Sequence, residues 1–115
     1  MDITALAATH ARWVEQRSRV TAENIANVDT PGFRRAQGSS FAAMLEGTGR
    51  SFAMAATHAA HILPDAAATP GFSVEREGAP SLQREMVELA ANRRAHDLNV
   101  AVSAAFHRFH LATAR

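Results

Sequence analysis

The chain has 115 residues, of which 47% are hydrophobic, enough for one small domain. Its twelve basic residues are all arginines scattered among eleven acidic ones, and the formal net charge is only +1. A nucleic-acid-binding protein normally concentrates its positive charge, so we expect no nucleic-acid partner. The absence of cysteine excludes disulfides, thiolate nucleophiles and cysteine metal sites.

The N-terminal sequence MDITALAATHARW lacks the features of a secretory signal peptide. Asp2 stands where a basic n-region would be, and His10 and Arg12 interrupt the apolar run. No apolar stretch in the sequence reaches the roughly 18 residues that span a bilayer. We therefore expect no direct membrane insertion, and any export must follow a route without a cleaved signal peptide.

Residues 2–27 contain neither glycine nor proline and predict an amphipathic helix. Leu6, Trp13 and Val20 recur every seven residues along it. A repeat close to 3.5 residues favours packing along a second helix over a long distance.

The predicted helix ends where Thr30, Pro31 and Gly32 follow one another. Proline removes an amide donor and disfavours a helical residue before it, while glycine supplies the positive φ of a type II turn. Two interpretations of Asn24 remain open at this point. It caps the end of the helix together with Asn27, or it is buried between helices and fixes their register.

Residues 34–80 hold five of the six glycines and three of the four prolines, and predict an irregular, partly extended linker. Ser40 followed by Phe41, Met44 and Leu45 predicts a short helix near residues 40–46. The sequence GFSVERE at residues 71–77 alternates as a short strand or extended arm does. His58 and His61 are interpreted as residues of a solvated loop.

Residues 81–115 predict a second long helix with Ser81 as its N-cap and Glu85 placed favourably for the helix dipole. Its apolar residues cover more than one face, so this helix requires more than one neighbour. The predicted fold is all-α: two long terminal helices pair as a coiled-coil-like hairpin around an irregular, partly extended middle loop. A hairpin cannot bury all of these side chains, so we expect a marginal monomer whose core other chains complete.

The sequence lacks a phosphate-binding loop, a nucleophile elbow and an HExxH motif. His107 and His110 would share one helical face, but two histidines without a nearby carboxylate or cysteine make an incomplete zinc site. We interpret them as interfacial polar residues, with a histidine-dependent metalloenzyme as the weaker alternative. We predict no catalytic residue, no cofactor and no metal site, and hence no enzyme.

Two segments resemble the bacterial flagellar rod, hook and hook-associated family. RVTAENIANVDTPGFRR at residues 19–35 resembles its N-terminal signature, approximately xxNIANxxTPGYKR. The matching residues are Asn24, Ile25, Ala26, Asn27, Thr30, Pro31 and Gly32, with Phe33 for the usual aromatic residue and Arg34 for the usual lysine. REMVELAANRRAHDLNV at residues 84–100 resembles the closing helix. Two features depart from the family pattern: Gly78, Ala79 and Pro80 replace the usual Gly-Asn and β-branched residue, and the chain is shorter than usual. The length and the uninterrupted run from Thr30 to Phe33 nevertheless resemble the short proximal-rod members.

The resemblance implies a structural subunit of the proximal rod of the flagellar basal body. Such subunits are exported through the flagellar type III apparatus and assemble helically in the periplasm through their terminal helices, transmitting torque. The implied partners are other copies, other rod proteins, the membrane-ring base and its adaptor protein. The turn would send the chain from residue 34 onward across neighbouring subunits. The alternative is a small helical adaptor or binding module of the flagellar export system.

The resemblance and the helical periodicity together predict two sets of functional residues. The assembly motif comprises Asn24, Ile25, Ala26, Asn27, Thr30, Pro31, Gly32 and Phe33. The predicted helix-packing residues are Leu6, Trp13, Val20, Met86, Val87, Leu98, Val102 and Phe109.

Overall fold

The computed structural model describes residues 2–50 and 69–114. In chain order the elements are α1 (Ile3–Ala26), β1 (Arg35–Gly38), α2 (Phe41–Arg50), β2 (Val74–Glu77) and α3 (Leu82–Thr113). Within these two ranges, no helix combines the length and the hydropathy needed to cross a membrane. The predictions for His58 and His61 lie outside the described residues.

The ends of α1 are set by short polar side chains. The Asp2 carboxylate accepts a hydrogen bond from the Ala5 amide at 2.7 Å, as an N-cap residue does. At the other end Asn27 is the C-cap, and its side-chain amide donates to the Glu23 carbonyl at 2.9 Å. The capping interpretation is therefore confirmed for Asn27.

A tight turn follows the end of α1, as the sequence predicts. The Thr30 carbonyl accepts a hydrogen bond from the Phe33 amide at 3.2 Å, and Gly32 has a φ of +76°. Proline before a glycine of positive φ is the arrangement of a type II turn. The chain reverses here and returns along α1.

The long terminal helices pair with each other, as predicted. Ser81 is the N-cap of α3, which runs for 32 residues. Thr21 of α1 meets Asn92 of α3, and the carbonyl of Ala7 meets the side chain of Asn99 at 3.3 Å. Since the residue numbers run in opposite directions, the two helices are antiparallel.

The fold is mostly helical but not all-α, because β1 and β2 form a two-stranded antiparallel sheet. Arg35 lies opposite Glu77, and Gly38 lies opposite Val74. The alternation at residues 71–77 predicts β2, whereas the sequence RAQG of β1 gives no such signal. Residues 35–38 lie on α1 of their own chain. That the chain from residue 34 onward extends across neighbouring subunits stays a prediction.

The tetrapeptide Thr-Pro-Gly-Phe occurs a second time in the chain, at residues 69–72. The Thr69 carbonyl accepts from the Phe72 amide at 3.1 Å, and Gly71 has a φ of +80°, so the second copy forms the same turn. In both copies one further residue precedes a four-residue strand. The antiparallel register pairs the first residue of each strand with the last residue of the other, giving the ribbon a local pseudo-two-fold symmetry.

A small apolar cluster holds α2 and the second turn against α1. Its buried members are Trp13, Val14 and Met44, and Phe41, Phe72 and Ala95 pack against them. The Trp13 indole N–H donates to the Ser39 carbonyl at 2.9 Å, which satisfies the polar atom of this buried ring. α2 occupies the region where a short helix near residues 40–46 is predicted, and Ser40 Oγ accepts from the Ala43 amide as its predicted cap.

The close approach of α2 to the second turn reverses the expected effect of a helical glycine substitution. Replacing glycine by alanine inside a helix ordinarily stabilises it by about 0.5–1 kcal/mol. In Gly47→Ala the new Cβ would lie 2.9 Å from the Gly71 Cα, so we expect a loss of roughly 1–3 kcal/mol. The free energy of unfolding by urea, followed by circular dichroism, measures the change.

Ala43→Gly is the control on the same helix, because Ala43 is exposed and should show the ordinary loss of about 0.5–1 kcal/mol. If Gly47→Ala increased the stability, the contact between α2 and the second turn would be contradicted.

Candidate functional site: the motif, its buried polar network and the exposed helix faces

Asn24, at the end of α1, is completely buried. Its side-chain amide donates to the Ala36 carbonyl and its carbonyl accepts from the Ala36 amide, both at 2.8 Å. One carboxamide thus makes on β1 the two hydrogen bonds that a residue of a neighbouring strand would make. The capping interpretation is wrong for Asn24, because this side chain turns inward to the strand.

Glu85, in the first turn of α3, forms a buried ion pair with Arg35 of β1. The exposed fractions of the two residues are 0% and 2%, and Arg35 Nε lies 2.5 Å from Glu85 Oε1. The amide of Asn24 donates to the other carboxylate oxygen at 3.2 Å. Arg35 also bonds to Gln37 and lies 3.3 Å from Glu77. The network therefore joins α1, β1, β2 and α3 at one point.

The sequence patterns do not predict this ion pair. From sequence, Glu85 is placed favourably for the helix dipole and matches the entry of the family's closing helix, and Arg35 is the last residue of the segment that resembles the N-terminal signature. Fifty positions separate the two residues, so no local pattern pairs them. The available signal was that both charges fall inside the two segments that resemble the rod family.

Further polar contacts follow the same interface between α1 and α3. The Asn92 amide donates to Thr21 Oγ1 at 3.1 Å, and Arg17 is 2.5 Å from Glu88. Hydrogen bonds need defined partners, so this interface specifies one register more strongly than apolar contacts would. A role of Asn24 in fixing that register stays a prediction.

The other motif residues lie at the surface or near it. Phe33 is half-buried, and the Arg76 guanidinium stands 5.6 Å from its ring centre. Ile25 and Asn27 are half-buried, whereas Ala26, Thr30, Pro31 and Gly32 are exposed. The structure thus brings Asn24 into the polar network and leaves the turn open to solvent, and the assembly role of the turn stays a prediction.

The predicted helix-packing residues fall into two groups. Trp13 is buried in the core and Val20 is half-buried. The others are exposed in the single chain: Leu6, Met86, Val87, Leu98, Val102 and Phe109. Every residue from 101 to 114 is exposed, so the C-terminal part of α3 has little cover within the described chain. Packing of the exposed group against other subunits stays a prediction.

His10 lies where α1 meets α2, in a cluster with two aromatic rings that also contact each other. The ring centre of Phe41 is 5.0 Å away in an edge-to-face arrangement, and that of Trp13 is 5.4 Å away. The Arg17 guanidinium also lies 4.8 Å from the centre of the Trp13 ring. Burial lowers the pKa of His10 below its ordinary value, because desolvation disfavours the imidazolium.

Comparison with known proteins agrees with this arrangement. Residues 15–34, which cover the second half of α1 and the turn, match the family described as flagella basal body rod protein. The whole chain also aligns with the flagellar basal body rod protein FlgB of Agrobacterium fabrum (strain C58 / ATCC 33970). The two are 32% identical over 126 residues, which cover 100% of this chain and 94% of the relative. No solved structure gives a significant match.

The chain therefore belongs to the family of flagellar basal body rod proteins. Within that family it is of the FlgB type, because its similarity to FlgB extends over the full length. This is a family of structural proteins, and the flagellar basal body is where its members are found.

Removing the carboxylate of the buried ion pair should destabilise the fold strongly. In Glu85→Ala the Arg35 guanidinium stays buried without its main partner, and we expect a loss of about 3–5 kcal/mol in the free energy of unfolding. Urea unfolding followed by circular dichroism measures it. Glu75→Ala is the matched control, since Glu75 is exposed on β2 and should change the stability by less than about 0.5 kcal/mol.

The double variant Arg35→Met with Glu85→Met removes both charges and should recover part of the loss. Equal stabilities of Glu85→Ala and Glu75→Ala would show that the network does not support the fold.

The lowered pKa of His10 makes stability depend on pH. His10 binds a proton more readily in the unfolded chain than in the folded chain. The stabilising contribution of neutral His10 to the free energy of unfolding is therefore complete above the ordinary histidine pKa of about 6.5, and it is lost as the pH falls below that value. We expect His10→Gln to reduce the pH dependence of the unfolding free energy between about pH 7 and pH 5. His96→Gln, at an exposed position, is the control. An unchanged pH dependence in His10→Gln would contradict the assignment.

Proposed function

We propose that this protein is a structural subunit of the proximal rod of the flagellar basal body. In this function it polymerises helically through its terminal helices and transmits torque. One observation carries the proposal: in a chain of the rod family, α3 exposes large apolar side chains along its whole length.

The extent of the exposed surface supports assembly. Val87, Leu98 and Phe109 are 66%, 63% and 67% exposed, respectively, although burying each side chain fully would contribute about 1.5–3 kcal/mol. The buried apolar residues of the described chain are few: Trp13, Val14, Ala36 and Met44. An isolated subunit is therefore marginal, and neighbouring subunits complete its core.

The same features suit the route and the mechanical task of a rod subunit. A marginal fold passes easily through an export channel in the unfolded state, so type III export without a cleaved signal peptide fits this chain. A shaft that carries torsion depends on many interlocked helices and on no reactive group. In the rod the subunit contacts other copies, other rod proteins, the membrane-ring base and its adaptor protein in the periplasm.

The second candidate is a small helical adaptor of the flagellar export system. The exposed face of α3 would then bind a single partner protein in the cytoplasm and would not build a polymer. The cellular fraction that holds the protein separates the two candidates.

The test is complementation of the source bacterium after deletion of its own copy. We expect the tagged chain to restore swimming and to copurify with detergent-extracted basal bodies. Restored swimming with the protein absent from basal bodies would overturn the rod proposal and favour the adaptor.

Variants of the turn extend this experiment. Gly32→Val places a β-branched residue at a φ of +76°, so we expect loss of swimming and of rod assembly. Pro31→Ala is the control, because Gly32 still supplies the positive φ. Normal swimming with Gly32→Val would mean that the turn is dispensable for assembly.

A further inference from the structure

The short helix α2 has few attachments to the rest of the described chain. It packs on α1 and on no other helix or strand of residues 2–50 and 69–114, and it meets the second turn at Gly47. β1 ends at Gly38 and α2 begins at Phe41, so a short link joins them. The buried polar network lies around Asn24, about 21 Å along α1 from His10. α2 can therefore move away from α1 without separating the long helices.

The contact between α1 and α2 includes a titratable ring. His10 is half-buried beside Phe41 and Trp13, and Met44, which is 2% exposed, completes the apolar cluster next to it. His10 makes no hydrogen bond and no ion pair with any described residue. The neutral ring therefore holds α2 through packing alone, and no acceptor awaits its second proton.

The charged groups on α1 near His10 already have partners. Arg17, whose guanidinium covers the neighbouring tryptophan ring, lies 2.5 Å from Glu88 of α3. Glu15 lies 2.8 Å from Arg19. Neither carboxylate is free to pair with a protonated His10, and the nearest fixed charge on its side of the cluster is a cation.

α3 offers no carboxylate to His10 either. The groove beside Ala11 is lined on the α3 side by two basic residues, Arg93 and His96. Asp97 is exposed and lies two positions after Ala95, which packs against the apolar cluster. Two positions correspond to about 200° around a helix, so Asp97 faces away from the cluster.

The end of α2 that meets His10 is its positive end. Phe41 is the first residue of α2, and the first turn of this helix has no acidic residue. Glu46 is exposed, and it lies about 140° around the helix from Phe41. Burial lowers the pKa of His10, and the helix dipole acts in the same direction. A positive charge on His10 is therefore opposed from every side of this contact.

We propose that His10 is an acid-sensitive latch that holds α2 on α1 when neutral and releases it when protonated. The imidazolium moves into water, and α2 separates from α1 by turning about the two residues before Phe41. Separation exposes Trp13 and Met44, while the paired terminal helices and the buried polar network stay in place. This inference concerns the single chain and does not depend on the proposed function.

The direction of the effect follows from proton linkage. His10 binds a proton more readily in the open form, where water surrounds the ring, so acid favours the open form. A single proton shifts the equilibrium between the closed and open forms by at most about tenfold per pH unit. The ordinary pKa values of Asp and Glu are about 3.9 and 4.3, so the interval from pH 7 to pH 5 titrates mainly histidines.

Two side chains report the state of the latch in the full chain. Trp13 is the only tryptophan, so quenching of its fluorescence by acrylamide measures access to the α1–α2 contact. The NMR shift of the Met44 methyl group should move toward that of the exposed Met86 as the contact opens. Between pH 7 and pH 5 we expect both signals to change at the midpoint at which the His10 ring titrates. Circular dichroism should retain the helix content of α1 and α3.

A matched set of variants identifies the group responsible. His10→Gln removes the titration and should abolish the pH dependence of both signals. His96→Gln, at an exposed position of α3, is the control and should retain it. His10→Arg carries a permanent charge and should show at pH 7 the acrylamide quenching that the native chain reaches at pH 5. Comparison of the three midpoints within the native chain gives the same test even where a variant fails to fold.

Four results would overturn the latch. A pH dependence that persists in His10→Gln would show that another group causes the change. Constant Trp13 and Met44 signals while the His10 ring takes up its proton would show that the contact accommodates the imidazolium. Loss of helix content over the same interval would show unfolding of the whole hairpin. Full access of acrylamide to Trp13 at pH 7 would contradict the closed contact itself.

Discussion

The fold depends on one buried cluster in which Asn24, Arg35 and Glu85 satisfy one another. Each residue belongs to a different element, so the cluster contacts both long helices and the ribbon at once. A buried charge is costly unless it is paired and hydrogen-bonded. Removing any one of these three side chains would therefore leave another without a hydrogen-bond or ion-pair partner. The family motif thus has an internal role at Asn24, separate from the exposed turn that follows it.

The hairpin has polar contacts within its helix interface and large apolar side chains on its surface. The α1–α3 interface contains Arg17 with Glu88 and Thr21 with Asn92, whereas large apolar side chains of α3 face solvent. Apolar contact is non-directional, while hydrogen bonds require particular partners. The internal contacts therefore define which residues meet, and the outer surface retains most of the apolar area available for association.

The local parts of the fold could be predicted from sequence. Periodicity predicts α1 and α3, and the Pro31-Gly32 pair predicts the turn, because these signals arise from neighbouring residues. β1 could not be predicted in this way, since its partners are Asn24 and a strand some forty positions later. The pairing of Arg35 with Glu85 has the same cause. The second Thr-Pro-Gly-Phe turn was predictable, because a search for internal repeats would have found it.

The way in which Asn24 binds Ala36 affects the solubility of the chain. Its carboxamide occupies the outer edge of β1, where another extended chain would otherwise add. The other strand of the ribbon carries Glu75, Arg76 and Glu77, charges that hinder stacking of further strands. The ribbon is therefore poorly suited to nucleating amyloid-like stacking of further strands.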